Sequence, residues 1–116
     1  VSEESLMRNL YLGIKDAQSY GNLMPYGWLM DNFGHCSQAP QIHQLFGIQE
    51  VFVWRGPVFD NDAISSDFIW QGSDGSKTRA NYLMSGYRNF YNLTDTTDYL
   101  NQRIDDKRQT IAAGNL

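Results

Sequence analysis

The sequence predicts an α/β fold built around one strand–helix–strand unit. Residues 26–30 form a short apolar run that suits a buried strand, and the β-branched run at residues 48–54 suits a second one. Between them, a helix is predicted to start near Ser37, with Pro40 in its first turn, and to end at Gly47. Because a helix joins the two strands, we expect them to be parallel, with a right-handed crossover.

Two further helices flank this unit. Ser2 is a suitable N-cap for the first helix, and Gly21 is a suitable stop. Its apolar residues recur at helical spacing and predict a buried stripe, made of Leu6, Leu10, Ile14 and Ala17. The last helix is predicted to run from Asp95 or Thr96 to about Ala112, with an apolar face of Leu100, Ile104 and Ile111.

A β-hairpin is predicted between the second strand and the last helix. Residues 66–71 and 77–84 have the character of strands, and the Asp74-Gly75 pair between them is typical of a tight hairpin turn. Residues 57–65 are polar and predict a loop that leads into the hairpin.

The bulk composition describes one small globular domain. Its 116 residues are 41% apolar and 19% charged, which is enough for a modest core. The net charge of −4 argues against nucleic acid and against anionic membrane surfaces as partners. No apolar run approaches the ~20 residues that span a bilayer. The single cysteine, Cys36, fits a reducing compartment, and no signal peptide is visible, so we expect a cytoplasmic protein.

The candidate chemistry lies where the predicted strands end. Asp31 directly follows the first strand, at the carboxyl end where α/β folds build active sites, although Asp is also common as a simple turn cap. Arg55 follows the second strand in the same way. Two parallel strands bring their carboxyl ends to one edge of a sheet, so Arg55 and Asp31 are expected to face one cleft. The alternative for Arg55 is a surface salt bridge.

Several motifs resemble one known family. They are W-x-x-D-x-F-G-H at residues 28–35, Q-x-P-Q-I at 38–42, F-G-I at 46–48, V-W-R-G at 53–56 and D-F-I-W-Q-G-S-D-G-S at 67–76. Together they are similar to the nucleophile segment of glycoside hydrolase family 38, the zinc-dependent retaining α-mannosidases, and most of all to the bacterial branch that includes the mannosylglycerate hydrolases. Asn32 departs from the family pattern, which often has Pro or Ser there.

The resemblance implies a fold and roles for particular residues. Asp31 matches the aspartate that serves as both nucleophile and zinc ligand, and Arg55 would orient it and favour its ionised form. Phe33 would contact the substrate, a mannose-containing saccharide or a mannosylglycerate-type compound. Trp70, in the predicted hairpin, is a further candidate for stacking on a sugar, although a single Trp more often packs in the core. The fold would be a section of a parallel (β/α) barrel-type catalytic domain, with the hairpin inserted at its rim.

The resemblance also implies that parts of the site lie elsewhere. A retaining glycosidase needs a second carboxyl group about 5–5.5 Å from the nucleophile, and the family pattern puts this acid/base beyond Leu116. The other zinc ligands would be a His-x-Asp upstream and a His downstream. We therefore expect a catalytic-domain fragment that is inactive alone, needs the remainder of its parent chain, and can self-associate through unpaired strand edges.

Other interpretations of individual residues stay open. A zinc site made of His35, Cys36 and His43 is disfavoured because only one thiol is present. More ordinary roles are a hydrogen bond within the turn for His35 and a small buried side chain for Cys36. As a whole, the chain could instead be a noncatalytic carbohydrate-binding module that stacks sugars on Trp54, Trp70 and Tyr87. A structural remnant without activity would expose apolar surface.

Overall fold

The computed structural model describes residues 2–58, 66–83, 86–88, 91–92 and 96–113. The helices are α1 (Glu3–Tyr20), α2 (Ala39–Leu45) and α3 (Thr97–Ala113). The strands are β1 (Tyr26–Leu29), β2 (Glu50–Val53), β3 (Asp67–Gln71) and β4 (Lys77–Tyr82). Every predicted helix and strand is therefore present, with ends that shift by a few residues. Most of the predicted polar loop, residues 59–65, lies outside the described part of the chain.

The four strands form one sheet in the order β1-β2-β4-β3. β1 and β2 are parallel, with Leu29 opposite Val53, and α2 connects them as the sequence predicted. β2 and β4 are also parallel, whereas β3 and β4 are antiparallel and form the predicted hairpin. The described part of the molecule is thus a mixed α/β domain with an open four-stranded sheet, and a closed barrel stays a prediction.

The position of the hairpin differs from the prediction. We expected an insertion at the rim, but β4 lies beside β2 and continues the parallel sheet. The physical reason is twofold: β4 supplies hydrogen-bonding partners to the second edge of β2, and its small inward side chains, Thr78 and Ala80, are fully buried. Thr78 Oγ1 also donates a hydrogen bond to the Pro40 carbonyl of α2, at 3.4 Å.

One face of the sheet carries the core. Four buried residues, Ile48, Val51, Val53 and Ala80, form a cluster there, and the half-buried Leu10, Leu29, Phe46, Phe68, Trp70 and Tyr82 pack around it. α2 lies close to β1 on this face because Gly27 has no side chain. A Cβ at Gly27 would come within 2.6 Å of Val51 Cγ1 and 3.1 Å of the His43 ring.

The flanking helices are only partly covered. α1 is capped as predicted, since the Ser5 N–H donates to Ser2 Oγ at 3.3 Å. Its predicted apolar stripe is half-buried rather than buried, and no residue of α1 is fully enclosed. In α3, Leu100 is exposed and Ile104 is half-buried. No helix among the described residues combines the length and apolar character needed to cross a membrane.

The opposite face of the sheet is open and partly aromatic. Trp28 is 65% exposed, Ile69 is 60% exposed, and Tyr26 is also exposed. Both the Tyr26 and Trp28 rings tilt against Phe52, with centroids 6.0 and 5.9 Å away. Exposed apolar surface of this kind is typical of interaction faces.

Candidate active site

Asp31 and Arg55 meet at the carboxyl ends of neighbouring strands. Asp31 lies two residues beyond the end of β1, and Arg55 lies two residues beyond the end of β2. Because these parallel strands pair in register, the two side chains start from equivalent positions. Arg55 Nε donates a hydrogen bond to Asp31 Oδ1, so the two side chains meet at this edge of the sheet. That they face one substrate cleft stays a prediction.

This ion pair is open to solvent. The side chain of Asp31 is 48% exposed and that of Arg55 is 43% exposed. Ion pairs at such exposure contribute about 0–1 kcal/mol to the free energy of unfolding. The pair therefore does little for stability, and its main effect is to fix the direction of the Asp31 carboxylate.

Arg55 is held by its surroundings as well as by Asp31. Its backbone N–H donates to the Met30 carbonyl at 3.4 Å, next to Asp31 in the chain. Its guanidinium carbon lies 4.6 Å from the centre of the Trp54 ring and 5.0 Å from that of Phe33. Both distances are within the range of cation–π attraction, so two aromatic rings restrict the motion of the guanidinium.

Phe33 belongs to the same cluster. Apart from its contact with Arg55, the ring is 88% exposed. An exposed aromatic ring beside a charged pair can stack on the apolar face of a sugar. The structure thus brings together three of the four residues that the sequence predicted for the site: Asp31, Arg55 and Phe33.

Trp70 lies apart from this cluster. It is half-buried on β3 and packs against the core. Its ring meets His35 edge-to-face, with centroids 5.4 Å apart. His35 Nε2 in turn lies 2.9 Å from the Arg55 carbonyl oxygen, so His35 forms a hydrogen bond to the loop after β2 rather than within its own turn as was predicted. Trp70 reaches the site only through His35.

Cys36 differs from what the sequence predicted. It was expected to be a small buried side chain but is half-exposed, and it lines two cavities of about 770 and 440 Å³. His43 is buried, with 2% exposure, and its Nδ1 donates to the Ala39 carbonyl at 2.6 Å. Desolvation by burial lowers the pKa of His43 below its usual value, against the raising effect of that hydrogen bond. The burial of His43 could have been predicted from its position next to the apolar Ile42 on α2.

The described residues do not by themselves form a metal centre. A catalytic zinc needs three protein ligands, and within the described ranges no three His, Cys, Asp or Glu side chains cluster closely enough to hold an ion. Asp31 supplies one carboxylate at the cleft. A zinc bound there would have to draw its other ligands from outside these residues.

Comparison with known proteins identifies the family. Residues 1–113 match the profile of the glycosyl hydrolases family 38 N-terminal domain. The chain belongs to this family. Its resemblance to family 38, predicted from the motifs around Asp31, is thereby confirmed at the level of the family.

The chain is similar to two proteins whose names fit family 38. A protein of Halalkalibacterium halodurans with the provisional name mannosylglycerate hydrolase is 36% identical over 99 residues, which cover 76% of this chain and 11% of that protein. The crystal structure of an alpha-mannosidase from Enterococcus faecalis V583 is 27% identical, with a TM-score of 0.80 over 91% of this chain and 13% of that structure. The chain thus spans about a tenth of the length of these relatives. Its sheet and helices share the fold of the matching part of that α-mannosidase.

The three rings considered as a sugar platform each contact another side chain of the protein. Trp54 and Tyr87 meet edge-to-face, with centroids 5.1 Å apart and an interplanar angle of 80°. Trp54 also carries the Arg55 guanidinium on its face, and Trp70 is engaged by His35. The alternative of a noncatalytic binding module that uses these rings stays a prediction.

Proposed function

We propose that this chain carries the nucleophile, Asp31, of a retaining α-mannosidase of family 38. The observation that supports it most is the contact between Asp31 and Arg55 at the ends of two adjacent parallel strands, in a chain that belongs to a glycoside hydrolase family. The substrate would be a mannose-containing saccharide or a mannosylglycerate-type compound, in keeping with the names of the two relatives.

The proposed reaction has two steps. The Asp31 carboxylate attacks the anomeric carbon, the bond to the leaving oxygen breaks, and an acid residue protonates that oxygen. Water, deprotonated by the same residue, then attacks the anomeric carbon and releases the Asp31 carboxylate. This second carboxyl group would lie about 5–5.5 Å away and outside the described residues. Asp105 and Asp106 do not suit the role because they are exposed side chains in the middle of α3.

Arg55 would prepare Asp31 for the attack. Its Nε–H engages one carboxylate oxygen and leaves the other to face the substrate. The guanidinium would also stabilise the negative charge that returns to the Asp31 carboxylate when it departs from the sugar. Because Trp54 and Phe33 restrict the guanidinium, little reorganisation is needed during the reaction.

Two further roles are part of the proposal. Phe33 would stack on the sugar beside Asp31, and Trp70 would contribute to the substrate-binding surface from β3. Asp31 would also be a zinc ligand, with the remaining ligands outside the described residues. We infer a cytoplasmic location from the single free thiol, Cys36, and expect the remainder of a longer chain to pack on the exposed sheet face.

Hydrolysis of an aryl α-mannoside by the full-length polypeptide tests the proposal. Asp31→Asn should reduce turnover by several orders of magnitude, while Asp16→Asn, an exposed change on α1, should leave it intact. A mechanism-based fluorinated mannoside should leave a sugar on the peptide that contains Asp31, detectable by mass spectrometry. Undiminished activity in Asp31→Asn, or labelling of another carboxylate, would refute the assignment of Asp31.

Metal analysis tests the zinc ligand separately. The full-length polypeptide should hold zinc at one equivalent, and Asp31→Ala should lower its zinc affinity. Equal zinc content and affinity in the two proteins would show that Asp31 is not a ligand, whatever its role in turnover.

A further inference from the structure

His35 connects the two loops that carry Asp31 and Arg55. It lies four residues after Asp31, on the segment between β1 and α2. Its Nε2 is 2.9 Å from the carbonyl oxygen of Arg55, which follows β2. A carbonyl can only accept a hydrogen bond, so Nε2 carries the proton and donates it.

The main chain of Arg55 is consequently tied to the Asp31 loop at two points. Its N–H donates to the carbonyl of Met30, one residue before Asp31, at 3.4 Å. Its own carbonyl accepts from His35, four residues after Asp31. The backbone from which the Arg55 side chain extends is thus set relative to Asp31 from both sides. The first of these bonds is long, which leaves the His35 bond as the stronger constraint.

The His35 ring is itself fixed in place. Its edge-to-face contact with Trp70 has an interplanar angle of 78°. On the other side it lies against Gly56, where an added Cβ would come within 2.8 Å of the ring Cδ2 and 3.1 Å of Nε2. Gly56 also has φ of +108°, which favours glycine. The donor therefore has little freedom to leave the Arg55 carbonyl.

We propose that His35 is a positioning residue for the reaction at Asp31. It holds Arg55 in register with the carboxylate by binding the Arg55 carbonyl, and it does not touch the carboxylate itself. Trp70 supports the reaction through the same contact, by fixing the His35 ring. This inference rests on the proposed function, because it gives His35 a task in the geometry of that same site.

Two substitutions test the hydrogen-bond donor of His35 and its aromatic ring separately. His35→Gln keeps an N–H donor near the position of Nε2 but removes the ring. His35→Phe keeps a ring against Trp70 but removes the donor. In the full-length polypeptide, His35→Phe should lower kcat for an aryl α-mannoside by about 10- to 100-fold, as expected for a small displacement at a reacting centre, with little change in KM. His35→Gln should stay near the wild-type kcat.

Three kinetic results would contradict a positioning role for the hydrogen bond of His35. A loss in His35→Gln with normal turnover in His35→Phe would show that ring packing matters and the hydrogen bond does not. Equal turnover in all three proteins, or an equal loss in both variants, would also overturn the inference. Thermal unfolding shows that each variant is folded before it is assayed.

A second readout does not depend on activity. Phenylglyoxal modifies free guanidinium groups, and peptide mass spectrometry gives the rate at each arginine. Arg55 should react slowly in the wild type and in His35→Gln and severalfold faster in His35→Phe, with Arg79 as an internal reference. That pattern in a protein without mannosidase activity would refute the proposed function and keep the link between His35 and Arg55. Asp31-dependent activity with equal Arg55 reactivity in all three proteins would refute only the inference about His35.

Discussion

Asp31 and Arg55 form an ion pair because each lies two residues beyond the end of its strand, and the strands are parallel neighbours in register. Loop length alone does not produce such a contact. It needs the register in which Leu29 lies opposite Val53, and the backbone hydrogen bond between Arg55 and Met30. The exposed pair adds little to stability, which leaves orientation of the carboxylate as its main consequence.

Removing the guanidinium should impair turnover and leave folding nearly unchanged. Arg55→Met in the full-length polypeptide should lower kcat/KM by about 100-fold, of the order lost when a preorganised electrostatic donor is removed. Arg55→Lys should have a kcat/KM between those of Arg55→Met and the wild type, because an ammonium cannot reproduce the planar contact with Trp54 and Phe33. Both should shift the free energy of unfolding by about 1 kcal/mol or less, measured by urea denaturation.

Arg79→Met is the matched control for Arg55. Arg79 is an exposed arginine on the same sheet, paired with Glu50 at 3.3 Å and away from the carboxyl ends of the strands. It should leave turnover unchanged. Equal losses of activity in Arg55→Met and Arg79→Met would mean that the charge of the sheet matters rather than the contact with Asp31.

Gly27→Ala should destabilise the fold. The new Cβ would lie 2.6 Å from Val51 Cγ1, between fully buried groups that cannot withdraw. Overpacking of this kind costs about 1–3 kcal/mol of unfolding free energy, measurable by urea denaturation. Gly13→Ala is the matched control, since nothing lies within 4 Å of the added atom on α1, and it should stabilise by about 0.5–1 kcal/mol. Equal effects at both positions would contradict the close approach of α2 to β1.

Gly75→Ala should weaken the β3–β4 hairpin. Gly75 has φ of +89° in the hairpin turn, a conformation that costs other L-residues about 1 kcal/mol. The turn is otherwise held by Asp74, which accepts hydrogen bonds from the Ser76 N–H at 3.1 Å and from Ser76 Oγ at 2.5 Å. Amide hydrogen exchange should accelerate first in β3, the edge strand. Unchanged exchange in β3 would argue against this turn geometry.

His43 should make the fold sensitive to mild acid. Burial lowers the pKa of His43 in the folded state, whereas in the unfolded chain it titrates near 6.5. As the pH falls below about 6.5, the unfolded state therefore binds the proton first, and the free energy of unfolding decreases until the lowered pKa is passed. Above that window the full stability is present.

His43→Asn should remove this part of the pH dependence. The asparagine amide can still donate to the Ala39 carbonyl, as Nδ1 does, but it does not titrate. The slope of unfolding free energy against pH, which one proton limits to about 1.4 kcal/mol per pH unit, should flatten between pH 6.5 and the lowered pKa. The comparison is the difference in slope between wild type and variant. An unchanged slope would show that His43 is accessible to protons in the fold.

Local sequence patterns were sufficient to predict much of this protein. The apolar run before Asp31, Pro40 in the first turn of α2 and the Asp74-Gly75 turn each act on their immediate neighbours. They predicted the strand–helix–strand unit, the hairpin and the strand ends at which Asp31 and Arg55 lie. The motifs around Asp31 and Trp70 predicted the family.

Only the tertiary structure decided how these parts meet. β4 could have lain at a rim, but it pairs in parallel with β2 because small side chains there fit beneath α2. The hydrogen bond from His35 to Arg55 and the half-exposure of Cys36 likewise depend on how one loop lies across another. Strand order and contacts between loops depend on residues that are distant in the chain. No short sequence pattern describes how such residues pack against one another.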